Sequence, residues 1–143
     1  SAVTKAMANN RFEWIKKMMI KLRLGLIIIF AAQFIMVPIM QFVFDIWLGD
    51  QTIKANVGIQ VAFIINNGIM MLYLLTAQIC NGLGELKIQV RWMLTANILL
   101  LVLSIIFTRI VPHYTAIVYA QSIALVPYCI IMTRWLNKRI EMN

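Results

Sequence analysis

Apolar and charged positions are segregated along this chain. No charged residue falls within 24–44, 57–77, 93–108 or 114–133. A helix rises about 1.5 Å per residue, so about 20 apolar residues cross a hydrocarbon core about 30 Å thick. The first two stretches reach that length, and the last two come within tolerance because a flanking charge can snorkel to the interface. Inside hydrocarbon every backbone amide needs an internal partner, which turns such runs into helices. The pattern predicts an all-α membrane protein with four spans, at about 24–44, 57–77, 93–110 and 114–133. These form a four-span membrane bundle over 24–135.

Residues 1–23 differ in kind. Phe12, Ile15, Met18, Met19 and Leu22 recur at helical spacing, with Lys5, Arg11, Lys16 and Lys17 on the polar side. This suits an amphipathic linker helix on the cytosolic membrane surface, its lysines facing anionic lipid headgroups. It carries too much charge for a signal peptide. Residues 136–143 read as a basic cytosolic tail. The chain opens on Ser1 and not Met, as expected if a start has been removed or if this is part of a longer chain.

Composition agrees. Of 143 residues, 62% are apolar and 13% charged, against roughly 45–50% and about 25% in soluble domains. A water-soluble globule, a disordered tail and a disulfide-stapled secreted module are excluded. The net charge of +8 is a matter of topology and not of nucleic-acid binding. Lys5, Arg11, Lys16, Lys17, Lys21 and Arg23 precede the first span, Lys87 and Arg91 lie in the second loop, and Arg134, Lys138 and Arg139 follow the last. Only Lys54 and Arg109 fall on the other side. The positive-inside rule puts both ends in the cytosol. Trp14, Trp47, Trp92 and Trp135 flank spans, as interfacial anchors do.

Soluble-type active-site chemistry is missing from the pattern. His113, beside Pro112, has no Cys, Asp or Glu cluster to make a metal site. Cys80 and Cys129 read as small apolar residues in helix packing. Asn81-Gly82-Leu83-Gly84 reads as a tight turn supplying left-handed backbone positions, since it follows a membrane helix and lacks the lysine-serine pair of a phosphate loop. No carboxylate lies within a span, Asp45 and Asp50 being at or beyond the outer end of the first. That disfavours a self-contained proton-coupled exporter, and the absence of arginines inside spans disfavours a voltage sensor.

Uncharged polar residues form stripes. Asn56, Gln60, Asn67 and Gln78 share one face of the second span at 100° per residue, and Asn97, Ser104 and Thr108 one face of the third. On the fourth, Tyr114, Gln121 and Tyr128 adjoin Thr115, Ser122 and Cys129. Such stripes either line a hydrophilic cavity suited to sugar hydroxyls or form interhelical hydrogen bonds, which use the same residue types. Pro38 and Pro127 lie inside spans and are candidate hinges.

Three segments carry a resemblance. The first is Ser1-Ala2, Thr4-Lys5-Ala6 and Phe12-Glu13-Trp14-Ile15-Lys16-Lys17. The second is Asp45-Ile46-Trp47-Leu48-Gly49, and the third Asn81-Gly82-Leu83-Gly84-Glu85-Leu86-Lys87-Ile88-Gln89. In order and spacing they resemble the C-terminal part of the polysaccharide-export flippases, a branch of the multidrug/oligosaccharidyl-lipid/polysaccharide superfamily. Glu85 stands where a basic or small residue is common there, and Asn9-Asn10 where Gly-Asp is frequent. The resemblance implies the last four spans of a twelve-span transporter in the bacterial cytoplasmic membrane. Its substrate would be an oligosaccharide on a polyprenyl pyrophosphate, moved by alternating access and coupled to a proton or sodium gradient. The partners implied are membrane lipid and the remaining helices, with no catalytic residue, cofactor or metal. Peptidoglycan-precursor flippases and cation-coupled drug exporters of the same superfamily, or a stand-alone four-helix assembly subunit, are the alternatives.

Overall fold

A computed structural model describes residues 2–48, 56–110 and 115–141. Gly49, Asp50, Lys54, Pro112, His113 and Tyr114 lie outside the described residues. The chain forms α1 (Ala2–Ala8), α2 (Phe12–Leu48), α3 (Val57–Leu83), α4 (Leu86–Ile110) and α5 (Thr115–Glu141). The last four are each long and apolar enough to cross a membrane. This is an all-α, multi-pass membrane protein.

The stretch expected to be one amphipathic helix over 1–23 is two pieces. Asn10 adopts a left-handed backbone, φ 53°, which asparagine tolerates better than most residues. The Arg11 amide donates back to the Ala6 carbonyl at 2.8 Å and the Asn10 amide to Met7 at 3.0 Å, a Schellman end that closes α1. Helix α2 then begins at Phe12 and runs unbroken into the first span. Its 37 residues extend about 55 Å, well beyond the hydrocarbon. Most of the apolar stripe faces protein, Leu22 alone of its five residues staying exposed. Ile15 and Met19 are buried in one cluster with Cys80, Tyr128, Met132, Leu136 and Ile140, against which Phe12 and Met18 pack. At the other end of the chain, α5 continues to Glu141, so the expected tail is mostly helix.

The α3–α4 turn is shorter than expected. Asn81 and Gly82 are still helical, and the left-handed residue is Gly84 alone, φ 75°. Its amide donates to the Asn81 carbonyl and that of Glu85 to Cys80, a second Schellman end. Thr4 donates to the Gly82 carbonyl at 3.0 Å, which docks α1 on this end of α3. At the opposite end of α3, the Asn56 side chain accepts from the Gly58 amide at 2.8 Å as an N-cap.

In space the spans lie in the order α2, α3, α5, α4. Helix α5 packs between α3 and α4, α3 between α2 and α5, and α2 and α4 do not touch among the described residues. The result is a layer of helices with two broad faces. Its core gathers at the end that carries both termini, where Ile15, Cys80, Met132 and Leu136 are sealed. There α1 and the start of α2 extend past the hydrocarbon, and burying apolar surface from water stabilises by roughly 25 cal/mol per Å². Within hydrocarbon that drive is absent and association rests on close packing and interhelical hydrogen bonds. Along most of its length α2 therefore keeps its outer surface exposed, including Ile28, Ile35 and Phe42. Trp47 is 80% exposed, whereas Trp92 and Trp135 pack against the core.

The α2–α3 contact turns on Gly68, where an added Cβ would meet the Phe30 ring at 2.5 Å. Gly25 faces open space. We expect Gly68→Ala to lower stability by about 1–3 kcal/mol through overpacking, and Gly25→Ala to raise it by up to about 1 kcal/mol through helix propensity. Thermal unfolding in detergent, followed by tryptophan fluorescence, checks both.

Candidate functional site

Neighbouring amides on α3 tie the layer together in mid-span. Successive helical residues point 100° apart, so Asn66 and Asn67 address different neighbours. The Asn67 amide donates to Gln33 of α2 at 3.0 Å, and Gln33 donates to the Met71 sulfur at 3.7 Å. Asn66 donates to Gln121 of α5 at 3.4 Å and accepts from the Ser122 hydroxyl at 3.1 Å. Two of the stripe residues, Asn67 and Gln121, thus have interhelical partners. Gln33 and Asn66 were not among the expected site residues. Asn66 lies on α3 well away from the stripe's centre, and Gln33 is on a span whose two amides, Gln33 and Gln41, form no stripe.

The other stripe residues are placed differently. Gln60 is half-buried and its Oε1 lacks a partner. Gln78 and Asn97 are exposed, and neither bonds to another described residue. Ser104 is half-buried, its carbonyl accepting from the Thr108 hydroxyl at 2.7 Å. Tyr128 departs from the expected cavity lining: it is 1% exposed, its hydroxyl unpartnered, its ring 4.8 Å from that of Tyr73. It belongs to the core because α5 is covered on both sides by α3 and α4.

The stripes share one face of the layer. On α3 the α2 contacts (Asn67, Gly68) and the α5 contacts (Asn66, Ile69) fall on nearly opposite sides. At 100° per residue this leaves Leu72 toward one broad face and places Gln60, Asn67 and Gln78 between the α2 side and the other. The same reckoning on α5 and α4, with their opposed directions, turns Gln121 and Asn97, Ser104 and Thr108 to the face that Gln60 occupies. Apart from the Gln33 pair, α2 brings to this face mainly apolar positions such as Ile29 and Met36. The arrangement offers amide donors and acceptors and hydroxyls, with no ionisable group among these stripe residues.

The remaining singled-out residues are structural in their setting. Pro38 and Pro127 are exposed positions inside continuous α2 and α5; each removes a backbone donor and leaves a carbonyl one turn earlier without its helical partner. Leu48 ends α2 beside Trp47, and Gln89 is 7% exposed with its Oε1 unpartnered. Asp45 accepts from Gln41 at 2.8 Å on the exposed C-terminal end of α2. Cys80 and Cys129 are free, buried thiols, the latter directed at the Ile69 carbonyl at 3.6 Å. Among the described residues, no group of three or more His, Cys, Asp or Glu could hold a metal ion.

Compared with known proteins, the chain matches no family model, no curated protein and no solved structure.

Asn66 and Asn97 separate the two uses of an amide. Asn66→Leu leaves Gln121 without its α3 partner, while the Ser122 hydroxyl keeps its bond to the Val118 carbonyl at 2.9 Å, and is expected to cost roughly 1–2 kcal/mol. Asn97→Leu removes no bond and is expected to leave the unfolding midpoint unchanged or raised. Equal destabilisation by both variants in detergent melts would contradict this division.

Proposed function

We propose that this chain is the C-terminal part of a flippase that carries polyprenyl-pyrophosphate-linked oligosaccharide across the bacterial cytoplasmic membrane, both of its ends cytosolic. The observation that carries the reading is the gathering of amides and hydroxyls from α3, α4 and α5 on one face of a layer built to sit in hydrocarbon. Polar groups turned toward lipid cost free energy, whereas facing a hydrated path they serve as donors and acceptors. Sugar hydroxyls match that set, being both donors and acceptors themselves. The lipid tail stays in the bilayer while the oligosaccharide crosses along the polar face.

A pyrophosphate needs cations, and the polar face has none at mid-depth. Those side chains come from the transporter's other helices, which also close the open sides of the layer. Pro38 and Pro127 are the positions at which α2 and α5 can bend during alternating access, driven by a proton or sodium gradient. No bond is made or broken, so the protein is not an enzyme.

The test is export in cells. Deleting the gene, in a strain without a redundant transporter, should trap lipid-linked repeat units on the cytosolic leaflet. Asn97→Leu and Gln78→Leu should reduce surface polysaccharide several-fold at unchanged membrane protein levels. Normal surface polysaccharide in the deletion strain defeats the reading, and export that falls only as protein falls assigns both residues to packing.

A further inference from the structure

The face of the layer opposite the polar stripes carries a groove between α2 and α5. At the termini end it is a cavity of about 200 Å³ reached by Lys16, Arg23, Asn137 and Glu141. Beyond Arg23 lies a second cavity of about 340 Å³, lined by Arg23, Leu26, Ile27, Phe30, Leu72 and Thr133. Arg23 lines both, so the two adjoin along α2. From Lys16 to Phe30 they follow α2 for about 20 Å.

The first cavity sets Lys16, Arg23, Asn137 and Glu141 beside Met19, Ile20 and Ile140; in the second, Arg23 and Thr133 apart, the walls are apolar. That is the profile of a phospholipid, with a charged head and a hydrocarbon tail. Arg23 is also positioned in advance. Its Nη2 donates to the Asn137 Oδ1 at 2.9 Å, which fixes the guanidinium and leaves its other donors unused by described residues. Glu141 is one helical turn beyond Asn137, away from the apolar walls. Lys16 and Glu141 line only the first cavity, which leaves Arg23 as the cation nearest the apolar walls.

We propose that this groove binds one anionic phospholipid from the leaflet adjoining the chain termini. The phosphate sits on Arg23 and the Asn137 amide, and one acyl chain lies along Ile27, Phe30 and Leu72. An arginine with a planar fork suits phosphate better than a lysine does, because it can donate two parallel bonds. The proposal is independent of the flippase reading, since groove and polar stripes lie on opposite faces of the layer.

Native mass spectrometry of the purified chain, titrated with phosphatidylglycerol or phosphatidylcholine, tests it. One phosphatidylglycerol should be retained at concentrations where phosphatidylcholine is not. Arg23→Gln should lower that retention about fivefold, the contribution of one interfacial cation, and Lys87→Gln, a cation outside the groove, less than twofold. Ile27→Trp fills the tail channel without touching a charge and should also release the lipid, which keeps the test valid if Arg23→Gln fails to fold. Equal retention of both lipids, equal loss in Arg23→Gln and Lys87→Gln, or full retention in Ile27→Trp overturns the proposal. Displacement of the lipid by millimolar inorganic phosphate also overturns it, because the site would then recognise a soluble anion and not a lipid.

Discussion

Hydrocarbon offers a polar group no partner, and this constraint shapes every level of the protein. It turns four charge-free runs into helices, since only a helix satisfies its own backbone within one segment. It then acts on the side chains. Asn66 and Asn67 stand side by side in mid-span, and the layer is arranged so that one reaches α5 and the other α2. Each such pair contributes on the order of 1 kcal/mol, less than the cost of leaving either amide alone. Association in mid-membrane is therefore specified by rotation: turn α3 by one residue and both amides lose their partners.

A second force takes over where the helices leave the bilayer. Val3, Ala6, Ile15, Leu136 and Ile140 are buried at the termini end, where water makes burial favourable. The two Schellman ends, at Asn10 and Gly84, fold the chain back at that same end so that α1 can close over α3. The packed end fixes the helices relative to one another. Further along, the layer keeps two unlike faces, one bearing amides and hydroxyls, the other a groove whose charge gives way to apolar walls at Arg23.

How much of this was legible in the sequence follows from the same physics. The spans were legible because absence of charge over a bilayer's thickness has one structural solution. Gly84 was legible because a glycine after an apolar run marks a left-handed end; Asn10 was not, because the 3.6-residue periodicity of Phe12, Ile15 and Met19 seemed to continue back through it. That periodicity also gave the buried face of α2 but not what covers it, since an apolar stripe fits a lipid surface or a protein core equally well. Gln33 and Asn66 escaped notice because a hydrogen bond between helices depends on their relative rotation. Tyr128 was placed on the polar stripe correctly by phase, yet the flanking helices bury it. Arg23 was counted among topological charges, and only its bond to Asn137 and its place in a groove distinguish it from Lys21.

In the proposed transporter the face bearing Gln60, Gln78, Asn97 and Ser104 meets a hydrated path, while the outer side of α2 meets lipid. Spin labels at Asn97→Cys and Ser104→Cys, compared with Ile28→Cys and Ile35→Cys in a Cys80→Ala, Cys129→Ala background, measure this by power saturation in reconstituted bilayers. A water-soluble nickel chelate should relax the labels at 97 and 104 more than oxygen does, with the reverse order at 28 and 35. Oxygen dominating at all four positions would contradict it, because the polar face would then be lying against lipid.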